Sequence, residues 1–223
     1  MRLIIIVIAH LLLTTAATGS EPAPAPPPVA ATAAEAHPRA VGTPAPLDVA
    51  VATVAGAVTT LRQVQDGQPV VLVFYRGGWC PYCTRHLAAL GEIVPQLTQS
   101  GWRIVAISPD APETMRNQRG PAQEAHDGLV RLSDADGSAM RAFGVAFQVD
   151  AETVGKLAGH GIDLNAASGK DHRWLPVPSV FLIDGGGTIR FVHADPDHRQ
   201  RLAPETLLGA AAEVRKADGK SPP

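Results

Sequence analysis

The hydrophobic pattern of the chain predicts an α/β fold, a three-layer α/β/α sandwich with a mixed central sheet. Three observations carry it. Residues 69–75, Pro-Val-Val-Leu-Val-Phe-Tyr, form an unbroken apolar, β-branched run that reads as a strand buried on both faces. Residues 102–108 and 129–132 repeat the signature with helical patterns between, and strands alternating with helices build a sheet covered on both sides. Residues 180–183 and 188–192 are joined by Asp184-Gly185-Gly186-Gly187, a hairpin signal that makes the sheet partly antiparallel.

From the N-terminus, the first element reads as an export signal. Arg2 supplies a positive start, residues 3–13 are apolar apart from His10, and Ala16-Ala17-Thr18-Gly19-Ser20 offers a cleavage site. The run is shorter than the ~20 apolar residues of a spanning helix. Residues 1–20 therefore read as a signal peptide, with an uncleaved anchor as the alternative, and the protein as periplasmic or secreted with no other membrane contact. Residues 21–40 are mostly Ala and Pro, a composition that buries too little surface to fold and reads as a stiff disordered linker. The folded domain is expected over 41–217, opening with turn chemistry at Gly42-Thr43-Pro44-Ala45-Pro46 and short apolar segments at 47–54 and 58–61. After the strand at 69–75, Gly77-Gly78 break the chain and Pro81 suits the first turn of a helix. Leu87, Leu90, Ile93 and Val94 face inward on that helix, and Pro95 kinks or breaks it. Residues 112–118 form a short helix, Asp134 caps a helix running to Phe143, and residues 150–175, with several glycines, read as less regular. Pro204 opens a last helix over 205–216, and 218–223 form a frayed tail.

In 223 residues, 45% hydrophobic side chains supply the core of one domain plus extensions. The net charge is −2 and no block of Lys or Arg stands out, which speaks against nucleic acid as a partner. Aromatic residues are scarce at 4%, yet Trp79 and Tyr82 sit beside the two cysteines, Cys80 and Cys83.

Outside the cytoplasm a cysteine pair can persist as a disulfide. As a staple this one would do little, since the chain-entropy model gives so short a loop only about 2 kcal/mol. A C-x-x-C pair is more often reactive than structural. Cys80 lies where strand gives way to helix, and the free N–H groups and dipole there favour a thiolate. Its thiol is expected to be acidic, exposed and the attacking one. Cys83, about one helical turn on, faces the same side and is placed to resolve a mixed disulfide or a sulfenic acid by closing a Cys80–Cys83 bond.

Phe74-Tyr75-Arg76-Gly77-Gly78-Trp79-Cys80-Pro81-Tyr82-Cys83 resembles the peroxiredoxin-like proteins of the alkyl hydroperoxide reductase and thiol-specific antioxidant group, within the thioredoxin superfamily. The resemblance covers about 41–215 and includes Gly42-Thr43-Pro44-Ala45-Pro46, Ala106-Ile107-Ser108-Pro109-Asp110, Leu132-Ser133-Asp134 and Phe181-Leu182-Ile183-Asp184. It implies a thioredoxin-like fold, thiol-based reduction of hydroperoxides or disulfides, and recycling by a thiol reductant, either a thioredoxin-like protein or a small thiol. It implies no cofactor. Two positions depart from the pattern. Gly77 stands where such proteins place a Thr three residues before the attacking cysteine, and Pro178 stands where they place an Arg. Val177-Pro178-Ser179 resembles instead the cis-proline of thioredoxins, which would set Pro178 against the cysteines and offer backbone groups to an extended substrate. The frame thus resembles a peroxiredoxin and the pocket a thioredoxin. Trp79 and Tyr82 either wall the site or pack ordinarily. Arg76 reads more readily as solvated than as a charge beside Cys80.

Rival chemistries find less support. His86 reads as helix surface, leaving Cys80 and Cys83 short of the four ligands of structural zinc. Thr84 follows Cys83 where haem attachment needs His. A copper-delivery module would need a remote ligand such as His172 or His193. Asp134-x-Asp136-Gly137 reads as a helix cap rather than a calcium loop, and Gly185-Gly186-Gly187 as a turn rather than a phosphate loop. No metal is expected. Trp174, in the 150–175 segment, either shapes a substrate groove or is plain surface.

Overall fold

The computed structural model describes residues 27–118 and 128–219, so the segment read as an export signal, residues 21–26 and the end of the tail lie outside the described residues. Along the chain the elements are β1 (Ala50–Thr53), β2 (Val58–Thr60), α1 (Leu61–Gln65), β3 (Val70–Phe74), α2 (Pro81–Gln99), β4 (Arg103–Ser108), α3 (Pro112–Asn117) and β5 (Leu129–Ser133). They continue with α4 (Ser138–Ala142), β6 (Ala146–Gln148), α5 (Ala151–Gly159), α6 (Leu164–Ser168), β7 (Trp174–Pro176), β8 (Ser179–Ile183), β9 (Ile189–Ala194) and α7 (Pro204–Ala217). The described residues form a seven-stranded sheet in the order β2-β1-β5-β4-β3-β8-β9, and β6 pairs with β7 in a small second sheet. β3, β4 and β5 are parallel, while β8, β9, β1 and β2 join antiparallel, so the sheet is mixed as the hairpin signal requires.

The alternation of side chains across the pleat explains the unbroken apolar runs. Val71, Val73, Ile104, Ala106, Val180 and Leu182 face α2 and α7, meeting Leu87, Leu90, Leu207 and Ala211. Leu72, Phe74, Val105, Ile107, Phe181 and Ile183 face the other way, toward Leu61 of α1 and Ala139 and Met140 of α4. Phe143 closes that second layer, its ring centroid 5.2 Å from Phe74 and 5.0 Å from Phe181. A strand with helices on both sides places its C-terminal end at the sheet margin. That is where β3 delivers the chain to Cys80.

Four local expectations change. α2 runs through Pro95 unbroken, because burial of Leu90, Ile93, Val94 and Leu97 on both sides of it outweighs the ~3 kcal/mol cost of an internal proline. Residues 27–40 are not a disordered linker but lie along the domain. The Ala30 N–H donates to the Ala146 carbonyl (3.1 Å), the Gln148 N–H donates to the Ala30 carbonyl (2.8 Å), and Val29, Ala33 and Ala36 pack on the core. Arg39 donates its Nε to the Ala142 carbonyl at 3.0 Å. The small apolar residues that looked too sparse to fold alone are enough to coat an existing core. Residues 150–175 are regular: Asp150 caps α5 by accepting from the Thr153 N–H (2.7 Å), Asp163 caps α6, and β7 pairs with β6. Asp134 does not begin a helix directly. Gly137 takes the cap position at φ 71°, and the buried Asp134 carboxylate accepts from the N–H groups of Ala139 (2.9 Å) and Met140 (2.8 Å).

Candidate active site

Beyond Phe74 the chain turns sharply before entering α2. Gly77 sits at φ +150°, and a Cβ there would collide with the Trp79 indole and with Asp110. A Thr here, as the resemblance implies, would be strained and would displace the indole or the carboxyl. Asp110, just past the end of β4, is buried and anchors the turn. Its Oδ2 accepts from the Gly78 N–H (2.8 Å) and from Gln118 Nε2 (2.6 Å). Burial raises the pKa of its carboxyl against those bonds. In the sequence Asp110 stands out only as part of the Ala106-Ile107-Ser108-Pro109-Asp110 resemblance, with no local signal for this role.

Cys80 is the N-cap of α2 with extended φ −88°, ψ 116°, and Pro81 follows at the first helical position. Both cysteines are unbonded thiols, and neither is exposed: Cys80 retains 2% of its accessible surface and Cys83 none. The expectation of an exposed attacking sulfur is thereby corrected. The two thiols belong to the same apolar cluster as Tyr75, Leu87 and Leu202, with Trp79 and Tyr82 packed against it. Burial does not make them alike. The Cys80 thiol is lowered from 9.0 to about 6, first by the hydrogen bond from the Cys83 thiol, against the cost of burial. The Cys83 N–H and the guanidinium groups of Arg76 and Arg201 add to the effect. Cys83 is pushed well up, by burial and by the charge on Cys80. One dithiol therefore holds a thiolate beside a proton donor.

Arg76 is not solvated. It is only 8% exposed, its guanidinium lies 5.2 Å over the Trp79 ring, and its Nε has no hydrogen-bond acceptor among the described residues. Stacking on an indole suits a weakly hydrated guanidinium, which here faces two sulfurs. Tyr82 is half-buried between Arg85, 4.9 Å over its ring, and His198, edge-on at 5.4 Å. His86 is buried rather than on the helix surface. Its Nε2 meets the Leu202 carbonyl at 3.2 Å, and burial lowers its pKa to about 4. Arg201, which sequence reasoning missed, reaches Cys83 with Nη2 3.5 Å from Sγ. No local signal marks it, because the contact joins positions 118 residues apart.

Pro178 lies buried, one residue before Ser179, which pairs with Phe74 at the end of β3. No cis peptide bond occurs among the described residues, so the expected cis-proline is corrected to trans. β7 ends at Pro176 and β8 starts at Ser179, and the step between is held by the Val177 N–H on the Val145 carbonyl (2.8 Å). The Pro178 carbonyl already accepts from the Asp195 N–H at 3.4 Å. Trp174 stacks on His172 at 4.4 Å, with the Arg141 guanidinium 5.4 Å over its ring, and shares a small cavity with Arg76, Trp79 and Asp110. Among the described residues no group of three or more His, Cys, Asp or Glu side chains is placed to hold a metal ion. The 151–168 helices reach the site through Trp79, which packs with Val149, Leu164 and Leu175. A cleft of about 500 Å³ opens beside Trp79 and Gly78, bounded by Thr114 and Asn117 of α3 and by Ile162 and Asp163.

A protein-family model described as the AhpC/TSA family matches residues 41–192, from the opening turn through the dithiol to the β8–β9 hairpin. The chain belongs to the AhpC/TSA family. Solved structures agree on the fold. Reduced Prx3 in complex with hydrogen peroxide from Vibrio vulnificus is similar at 20% identity, over 78% of this chain and 99% of that one, with a TM-score of 0.61. Peroxiredoxin 5 from Alvinella pompejana is 21% identical over 79% of this chain and 99% of its own, with a TM-score of 0.60. Peroxiredoxin Q from Xanthomonas campestris is 21% identical over 79% and 94%, with a TM-score of 0.56. No curated protein matches the chain. Within the AhpC/TSA family this member carries Gly77 under the indole and Pro178 at the end of β3, and its second guanidinium arrives from the β9–α7 connection.

Proposed function

We propose that the protein is a thiol-dependent antioxidant oxidoreductase that reduces hydroperoxides through a Cys80/Cys83 dithiol–disulfide cycle. The observation that carries this reading is the split of the dithiol into an acidic Cys80, near 6, and a protonated Cys83 that donates to it. The Cys80 thiolate attacks the distal peroxide oxygen; the O–O bond breaks, Cys80 becomes a sulfenic acid, and the alkoxide takes a proton to leave as alcohol or water. Cys83 then attacks the Cys80 sulfur, water leaves, and the Cys80–Cys83 disulfide forms. Two electrons from an external thiol reductant restore the pair. Trp79 and Tyr82 wall the sulfurs, Arg76 supplies positive charge to the attacking thiolate, and Pro178 borders the substrate approach. The signal-like residues 1–20 support a periplasmic or secreted site of action.

A second reading, reduction of protein disulfides without significant peroxidase activity, is favoured by one observation: Gly77 leaves no hydroxyl where peroxiredoxin-like proteins place a Thr. Stopped-flow oxidation of the reduced protein by hydrogen peroxide and by a model disulfide separates the two. Peroxide oxidation far faster than that of a free thiolate supports the peroxidase. Slow peroxide with a fast disulfide supports the second reading, and no intramolecular disulfide with either oxidant refutes both.

A further inference from the structure

The two sulfurs need charge at different moments. In the resting dithiol the negative charge belongs to Cys80, and the guanidinium groups of both Arg76 and Arg201 favour it. Once Cys80 is a sulfenic acid or a mixed disulfide, its charge is gone and Cys83 must become the nucleophile. Cys83 is fully buried and its thiol is held protonated, so an unaided thiolate there is costly. The structure holds a cation at that sulfur. Arg201 Nη2 lies 3.5 Å from Cys83 Sγ, and its Nη1 donates to the Gln200 carbonyl (2.9 Å), with no carboxylate partner among the described residues.

Arg201 is not a surface arginine that happens to fold inward. The next residue, Leu202, is buried in the cluster that contains both cysteines, and its carbonyl meets the buried His86 Nε2. His86 lies on α2, three residues after Cys83, so the helix that carries the sulfur also fixes the segment that carries the guanidinium. Among the described residues, other charged and titratable groups around the dithiol include Tyr75 in the same cluster, Arg76, stacked on Trp79, His198 against Tyr82, and His193, whose pKa is lowered by burial. Asp195 and Asp197 precede Arg201 in the same connection, and Asp197 is occupied by Arg199 at 2.9 Å.

We infer that Arg201 is a catalytic residue of the resolving half of the cycle, where it stabilises the Cys83 thiolate as that sulfur attacks Cys80, with His86 as the positioning residue that sets it there. The inference rests on the dithiol cycle proposed above. In the step itself the Cys83 proton leaves, the Cys83 sulfur bonds to the Cys80 sulfur, and the hydroxide of the sulfenic acid, or the thiolate of a mixed disulfide, departs with a proton. Arg201 keeps its own protons and balances the charge while it sits on Cys83.

The test compares Arg201→Gln and Arg201→Lys with the unsubstituted protein. Sulfenic acid lifetime is followed after one equivalent of hydrogen peroxide by dimedone trapping against disulfide closure, and the first step is isolated in a Cys83→Ser background. Loss of a hydrogen bond to a charged group predicts closure slowed by about ten- to a hundred-fold in Arg201→Gln, with a first step slowed much less. Arg201→Lys recovers closure in part. In a Cys80→Ser background, thiolate absorbance at 240 nm should show Cys83 titrating at higher pH when Arg201 is Gln than when it is Arg, a readout that a merely structural role would not move. Equal closure rates and an unchanged Cys83 titration overturn the inference while leaving the cycle standing. Failure of the unsubstituted protein to close the Cys80–Cys83 disulfide overturns the cycle itself.

Discussion

Replacing Cys83 by Ala asks where the acidity of Cys80 comes from. The Cys80 thiol falls from 9.0 to about 6, and the largest cause is the hydrogen bond from the Cys83 thiol. The whole drop corresponds to about 4 kcal/mol at 1.36 kcal/mol per pH unit. A hydrogen bond to a charged group contributes about 1.5–3 kcal/mol of that, so its loss moves the Cys80 midpoint to about 7–8. At pH 7 the thiolate fraction then falls from about nine-tenths to between about a tenth and a half. The sign follows from the thiolate being the reactive form. In the unsubstituted protein, reactivity rises with pH through about 6 and is flat by pH 7, and in Cys83→Ala it still climbs through pH 7–8. Cys83→Ser, which retains a donor, lies between. The assay is absorbance at 240 nm over pH 4–10, paired with the pH dependence of iodoacetamide alkylation. Alkylation will be slow in absolute terms because the sulfur is buried, but its midpoint does not depend on access. A midpoint that stays near 6 in Cys83→Ala refutes the assignment and transfers the acidity to the helix terminus and the arginines. Preferential labelling of Cys83 in the reduced protein refutes the division of roles.

Two further outcomes test the scaffold of the site. Gly77→Thr places a β-branched residue at positive φ against Trp79 and Asp110, and should cost about 1–3 kcal/mol in urea unfolding without raising the peroxide rate; an unchanged unfolding midpoint contradicts the close approach. His86 is held neutral, with a pKa near 4 against an ordinary 6.5, so the unfolded chain takes up a proton between those values and the folded one does not. Stability should therefore fall as pH drops from 6.5 to 4, by about 3 kcal/mol from this residue. His86→Gln, which keeps a donor for the Leu202 carbonyl, should flatten that part of the acid-unfolding curve, and an unaltered slope would show that the imidazole is not so buried.

The strands were readable because each buried run carries its own signal. Val70–Phe74, Arg103–Ser108 and Ser179–Ile183 are apolar on both faces of the pleat, a pattern that needs layers above and below it. The errors came where tertiary contacts override local composition. The Ala/Pro stretch before residue 41 has too little apolar surface to fold alone, yet Ala30 finds a ready-made backbone partner beside Phe147. The glycines of the 150–175 segment suggest irregular chain, while the informative residues are Asp150 and Asp163, each an acceptor one position before a helix. Pro95 alone predicts a break, but the buried leucines on either side of it hold the helix together.

The candidate site divides in the same way. Cys80-Pro81-Tyr82-Cys83 is contiguous, so its chemistry is legible at sight. The environment that tunes it comes from three separate segments: the β3–α2 turn with Arg76, the end of β4 with Asp110, and the β9–α7 connection with Arg201. Composition cannot say whether an arginine beside an indole is buried or whether a helix histidine faces in, and a solvent-facing side chain is the default for both. One clue was available. On α2, Cys83, Leu87, Leu90 and Val94 recur at helical spacing, and His86 lies three residues after Cys83, four before Leu90 and one from Leu87, within the same inward arc. A histidine on an inward arc needs a hydrogen-bond partner, and any partner must come from another segment. That requirement points to a chain crossing the start of α2, and the residue it brings with it is the cation on Cys83.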